Sequence, residues 1–144
     1  IDAEVKTPYT YYGGMKAHRS LVYDGPFDEV LYTSKDEILE GTTFSFFIVK
    51  NKSVITSKLD GRILGSVTRK NLLRIMDIQK IEHSESVISI KDLKSSSEAF
   101  IASANRDLIP VVSVNGNEIG DGKIGPVYKK LMRLYQQELL KINM

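Results

Sequence analysis

Residues 37–49 read EILEGTTFSFFIV, and the way this stretch is resolved decides the fold. From Thr43 to Asn51 the chain runs TFSFFIVKN, a segment rich in strand formers. Glu40 stands at its mouth. A carboxylate in that position is costly unless a cation or a tight hydrogen-bond network meets it. On the residues alone two readings are open: a structural hydrogen bond to a neighbouring backbone group, or a partner that is a lysine or a cationic ring nitrogen.

Working outward, DEVLY (28–32) alternates as a strand and SKDE (34–37) reads as a turn. Residues 9–23 mix aromatics, Gly13, Gly14 and basic residues, which predicts a helix of poor propensity after an extended start. Downstream, NKS (51–53) reverses the chain into VIT (54–56), giving a hairpin. LDGRILGS (59–66) is a glycine-punctuated loop that feeds a helix over 67–79, with Leu72, Ile75, Met76 and Gln79 on one face. KIEHSESVI (80–88) and AFIAS (99–103) read as strands around a short KDLKSS helix (91–96). IPVVSVNG (109–116) and NEIG (117–120) form a hairpin with an Asn-Gly turn. Pro126 opens a final helix in which Val127, Leu131, Leu134, Tyr135 and Glu138 share a face. The expected class is α+β, with one domain over residues 1–144.

With 144 residues the chain is long enough to bury a core. Its formal charge is +2 and its 20 basic residues are spread along it, so nothing argues for nucleic acid or an anionic membrane. There is no cysteine, and neither His18 nor His83 has a partner at ligand spacing, so no metal site is expected. No apolar run approaches the ~18 residues of a membrane span. These features fit a cytoplasmic protein.

Three stretches can carry chemistry. ILGSVTR (63–69) leads into a helix N-terminus whose free N–H groups, with the Thr68 hydroxyl, are the makings of a phosphate site; an ordinary capped loop reads the same way. Glu40 is the second. Lys6, in EVKTPYTYY (4–12), is a solvated surface charge or, if desolvated, a nucleophilic amine.

Taken in order, these segments resemble the large C-terminal domain of the fold-type IV pyridoxal-phosphate enzymes, the family of class IV aminotransferases and aminodeoxychorismate lyase. The resemblance is carried by KTPYTY (6–11), GPFDEVLY (25–32), EGTTFSFF (40–47), ILGSVTR (63–69), FIASANRDLIPV (100–111) and IGDGKIGP (119–126). It implies a D-amino acid aminotransferase-like fold, a mixed β-sheet or pseudo-barrel with flanking helices. It further implies pyridoxal 5'-phosphate as cofactor, with Lys6 forming the aldimine and moving the substrate α-proton. Tyr11 falls on the residue that bonds the phenolic oxygen, Glu40 on the acid that pairs with the ring nitrogen, and Leu64 on the apolar residue against the ring. Val67, through its N–H, and Thr68 match the phosphate cradle. The implied activity is amino transfer from an α-amino acid to a 2-oxo acid by a homodimer.

Several residues depart from that pattern. Ser45 replaces an asparagine, Gly65 and Ser66 replace Pro-Gly, and Ala104 stands where transaminases place a phosphate-contacting threonine, leaving Ser103 or Asn105 to supply that contact. The family's smaller N-terminal domain has no counterpart before Lys6, so a fragment is expected. The alternatives are elimination of pyruvate from aminodeoxychorismate on the same lysine, and a non-catalytic interaction domain of this fold.

Overall fold

The architecture is set by two alternating apolar strands laid side by side. The structure is a computed structural model and describes residues 15–16 and 18–142. Strand β3 (Ser45–Lys50) pairs antiparallel with β7 (Glu98–Ser103) on one side, in the register Ser45↔Ala102 to Val49↔Glu98, and with β4 (Ser53–Thr56) on the other. Along both central strands side chains alternate between two cores. Phe47, Val49, Phe100 and Ala102 join one cluster; Phe46, Ile48, Ala99 and Ile101 join the other. Phe47 and Phe100 stack with centroids 4.9 Å apart, both fully buried. Each such ring contributes roughly 1.5–3 kcal/mol of burial.

The remaining strands extend this pair into an open, eight-stranded mixed sheet. β1 (Leu31–Ser34) pairs with β2 (Glu37–Gly41), and β2 meets β3 through Glu40↔Ser45. β5 (His83–Glu85) runs parallel to β4, β6 (Ile88–Ser89) pairs with β2, and β8 (Asp107–Val111) pairs with β7. A separate ribbon joins β9 (Ser113–Val114) to β10 (Asn117–Glu118). Helices α1 (Val67–Ile78) and α3 (Pro126–Ile142) cover the first core, through Leu72, Ile75, Met76, Leu131 and Tyr135. Helix α2 (Ile90–Ser95) covers the second through Leu93. The class is α+β as expected, and among the described residues the sheet does not close into a barrel. No helix among them is long and apolar enough to cross a membrane.

Local differences from expectation have identifiable causes. EILEG forms its own strand, β2, because the chain turns at Lys35, which adopts φ +56°, and pairs back on β1. The segment 80–88, expected as one strand, divides: His83–Glu85 serves β4 and Ile88–Ser89 serves β2. IPVVSVNG likewise breaks at Val112, while the expected Asn115-Gly116 turn forms with φ +51° and +79°. Of the helix expected before Tyr23, a π-helical turn spans Arg19–Tyr23; Lys6 and Tyr11 lie outside the described residues.

Candidate functional site

The C-terminal end of β2 and the start of β3 bring the first candidate group into place. Between them the chain closes a short turn in which the Gly41 N–H donates to the Phe44 carbonyl at 3.1 Å, and a Cβ on residue 41 would run into the Phe44 ring. The glycine after Glu40 is therefore demanded by packing. Glu40 is half-buried, and its Oε2 accepts the Leu64 N–H at 3.1 Å. Burial pushes its carboxyl up to about 7; the Leu64 N–H and the charge of Arg69 pull the other way without cancelling it. Among the described residues no cation forms an ion pair with this carboxylate.

Opposite it stands the N-terminus of α1. Ser66 caps the helix, its Oγ accepting the Arg69 N–H at 3.1 Å, and lies 3.3 Å from the hydroxyl of Ser45, which is paired with Glu40 across the sheet. Val67 and Thr68 supply the first two helical N–H groups, for which no acceptor exists among the described residues. The Thr68 side chain is buried and that of Val67 is exposed. Arg69, 3% exposed, is held by its Nη2, which donates to the Ser57 carbonyl at 2.9 Å and to Glu85 Oε1 at 2.6 Å. Its Nε is buried and has no hydrogen-bond partner among the described residues. Ser57 in turn donates from Oγ to the Ile38 carbonyl of β2 at 2.8 Å, so the first turn of α1 is tied to β2 and β5.

Of the residues singled out in the sequence, Glu40, Leu64, Val67 and Thr68 thus lie around one meeting point of β2 and α1. Ser103 ends β7, one residue beyond the partner of Ser45, and its buried hydroxyl accepts the Arg106 N–H at 3.2 Å. Asn105 is exposed in the turn that follows. The roles of Ser45, Ser66 and Arg69 were not legible beforehand, because each depends on a partner between 3 and 21 residues away across the fold. Tyr32 on β1 was missed as well. Its hydroxyl is pushed upward by burial and by the charges of Glu40 and Glu29.

Beside this cluster lies an open cavity of about 640 Å³ between the π-helical turn, Thr42 and Thr43 of the β2–β3 turn, and Arg106 of the β7–β8 turn. Glu40, Leu64 and Thr68 do not line it. The volume is of ligand size.

The amino-transferase class IV family model matches residues 2–114. A D-alanine aminotransferase of Staphylococcus haemolyticus is 28% identical over 103 residues, 72% of this chain and 36% of its own length. A probable branched-chain-amino-acid aminotransferase of Aquifex aeolicus is 27% identical over 136 residues, 94% of this chain and 44% of its own. The branched-chain amino acid aminotransferase of Thermobaculum terrenum, solved in its PLP form, superposes with a TM-score of 0.87 at 23% identity, over 96% of this chain and 45% of that one. The chain therefore spans less than half the length of these proteins.

Proposed function

Because the chain belongs to the class IV amino-transferases, we propose that it is the large domain of a pyridoxal-phosphate aminotransferase that moves an amino group from an α-amino acid to a 2-oxo acid. The observation that carries this reading is the Glu40 carboxylate, half-buried, and among the described residues held by a single backbone N–H with no cation paired to it. A protonated pyridine nitrogen supplies what that carboxylate lacks. The residues fit the rest of the group as well. Val67 and Thr68 offer two N–H groups at a helix N-terminus that no acceptor among the described residues claims, a setting that favours a phosphate dianion. Leu64 presents an apolar side chain next to the N–H that binds Glu40.

In this reading Glu40 accepts a hydrogen bond from the ring nitrogen and keeps it protonated. Bound pyridoxal phosphate supplies an electron-accepting ring that stabilises negative charge at the substrate α-carbon. Lys6 would hold the cofactor and move the α-proton, and Tyr11 would donate to its phenolic oxygen. The Ser103 hydroxyl, which uses an oxygen lone pair on Arg106 N–H, keeps its proton to donate to phosphate, with Asn105 beside it. The smaller domain that completes the relatives' length supplies the other wall of the site, and the assembly is a cytoplasmic homodimer.

The test is spectroscopic. Full-length protein mixed with pyridoxal phosphate is expected to absorb in the visible, and borohydride reduction is expected to leave a label that peptide mapping finds on Lys6. Amino transfer to 2-oxoglutarate supports the transaminase reading. Pyruvate release from aminodeoxychorismate without an acceptor assigns the lyase instead. A colourless, unlabelled protein leaves the non-catalytic domain.

A further inference from the structure

We propose that Arg106 is a specificity-determining residue that binds a carboxylate on the substrate side chain within the cavity beside the Glu40 cluster. This rests on the proposed aminotransferase reading and adds the substrate class to it. The cavity is built from four separate parts of the chain. The π-helical turn and the residues before it give Met15 and Tyr23 at its rim, the segment before β1 gives Glu29, the β2–β3 turn gives the hydroxyls of Thr42 and Thr43, and the β7–β8 turn gives Arg106. Thr42 follows Glu40 by two positions and Arg106 follows Ser103 by three, so the cavity opens at the same end of the sheet as the candidate cofactor residues. Tyr32 links the two regions, since its hydroxyl feels the charges of both Glu40 and Glu29.

Arg106 is poised in a way that a solvated arginine is not. Its Nη1 is ion-paired with Glu29 Oε1 at 2.6 Å, its backbone N–H is fixed on Ser103 Oγ, and its side chain remains 37% exposed. The second Glu29 oxygen is buried and lies 3.9 Å from His18 Nε2. Glu29 also lines the cavity, so its pairing occupies one edge of the guanidinium and leaves the rest of Arg106 toward the open side. A guanidinium held by one N–H retains four more donors, enough for a bidentate bond to a carboxylate. Arg19, 3.9 Å from Asp24, adds a second cation to the lining, so two cations face the cavity against the one carboxylate of Glu29, a small excess in favour of an anion. The apolar rim accommodates the methylenes of the same substrate.

Two measurements decide the matter. With full-length, cofactor-loaded protein, the ratio of kcat/KM for glutamate over norvaline is expected to fall about 10-fold in Arg106→Gln, and to be partly retained in Arg106→Lys. The double variant Arg106→Gln with Glu29→Gln leaves no buried carboxylate unpaired and is expected to show the same fall, which separates recognition from misfolding. A ratio unchanged within about twofold in both the single and double variants overturns the proposal. Independently of turnover, titrating the protein with glutarate is expected to move the Arg106 side-chain nitrogen resonances, whereas 1,5-pentanediol leaves them in place. No movement with glutarate overturns the proposal too. If no amino donor reacts in the wild type, the aminotransferase reading fails while the titration still decides the carboxylate site.

Discussion

Glu40 concentrates the residue-scale physics of this protein. Its carboxyl is raised from 4.5 to about 7 by burial, so the folded chain holds a proton that the unfolded chain has released over that interval. The native state then binds more protons than the unfolded one, and stability falls as pH rises from 4.5 to about 7 and is flat above it. The site is partly open to water, which screens the effect to about 1–2 kcal/mol. Glu40→Gln is expected to match the wild type near pH 5 and to exceed it by that amount near pH 8 in cofactor-free urea denaturation. Equal stability at both pH values contradicts the assignment. The same substitution is expected to weaken pyridoxal-phosphate binding, so stability and cofactor affinity move in opposite directions. Arg69 works on the other side of this balance. Its charge favours ionised Glu40, and its buried position is held by Ser57 and Glu85.

At the scale of elements, the helix termini are where polar residues have tertiary consequences. Helix α2 starts with a capping box: Ser89 Oγ accepts the Asp92 N–H at 3.0 Å, and Asp92 Oδ2 accepts the Ser89 N–H at 3.0 Å. Lys50, at the end of β3, donates to Asp92 Oδ1 at 2.8 Å and ties the box to the sheet. The Lys50 ammonium and the Ser89 groups hold the Asp92 carboxyl down at about 2, below its ordinary 3.8. A lowered carboxyl contributes stability that is present above 3.8 and is lost as pH falls through about 2. Asp92→Ala is expected to cost about 1 kcal/mol near pH 7, measured by chemical denaturation, and to cost little near pH 2 if the fold persists there. Helix α1 uses a different device, a serine cap braced by a second serine from β3. Ser66 takes the third N–H, and the first two have no acceptor among the described residues.

At the scale of the whole molecule, Glu98 joins the sheet to the final helix. It is 6% exposed at the start of β7, and its two oxygens accept the Val127 N–H at 3.1 Å and the Tyr128 N–H at 2.9 Å, at the N-terminus of α3. Any Cβ on Gly125 would overlap that carboxylate, so the glycine before Pro126 is fixed by a residue 27 positions earlier. Gly125→Ala is expected to displace Glu98 and cost about 2 kcal/mol or more, read as a lower denaturation midpoint. Glu98→Gln keeps one oxygen acceptor and is expected to cost less; the reverse order contradicts the account. The patterns of FSFFIV and AFIAS, of residues 67–79 and of the stretch after Pro126 were sufficient in the sequence to give the α+β class, the central strands and both long helices, because period-2 and period-3.6 burial are local properties of the chain. The order of the motifs also singled out Glu40, Leu64, Val67 and Thr68, which the fold brings to one meeting point of β2 and α1. The division of residues 80–88 between two strands lay beyond local reading, since it depends on which edges are free. So did the contact of Ser45 with Ser66, the burial of Arg69 and the ion pair of Glu29 with Arg106. Only the tertiary structure decided these, because a polar side chain's role is fixed by the group that faces it across the fold, and no periodicity encodes that neighbour.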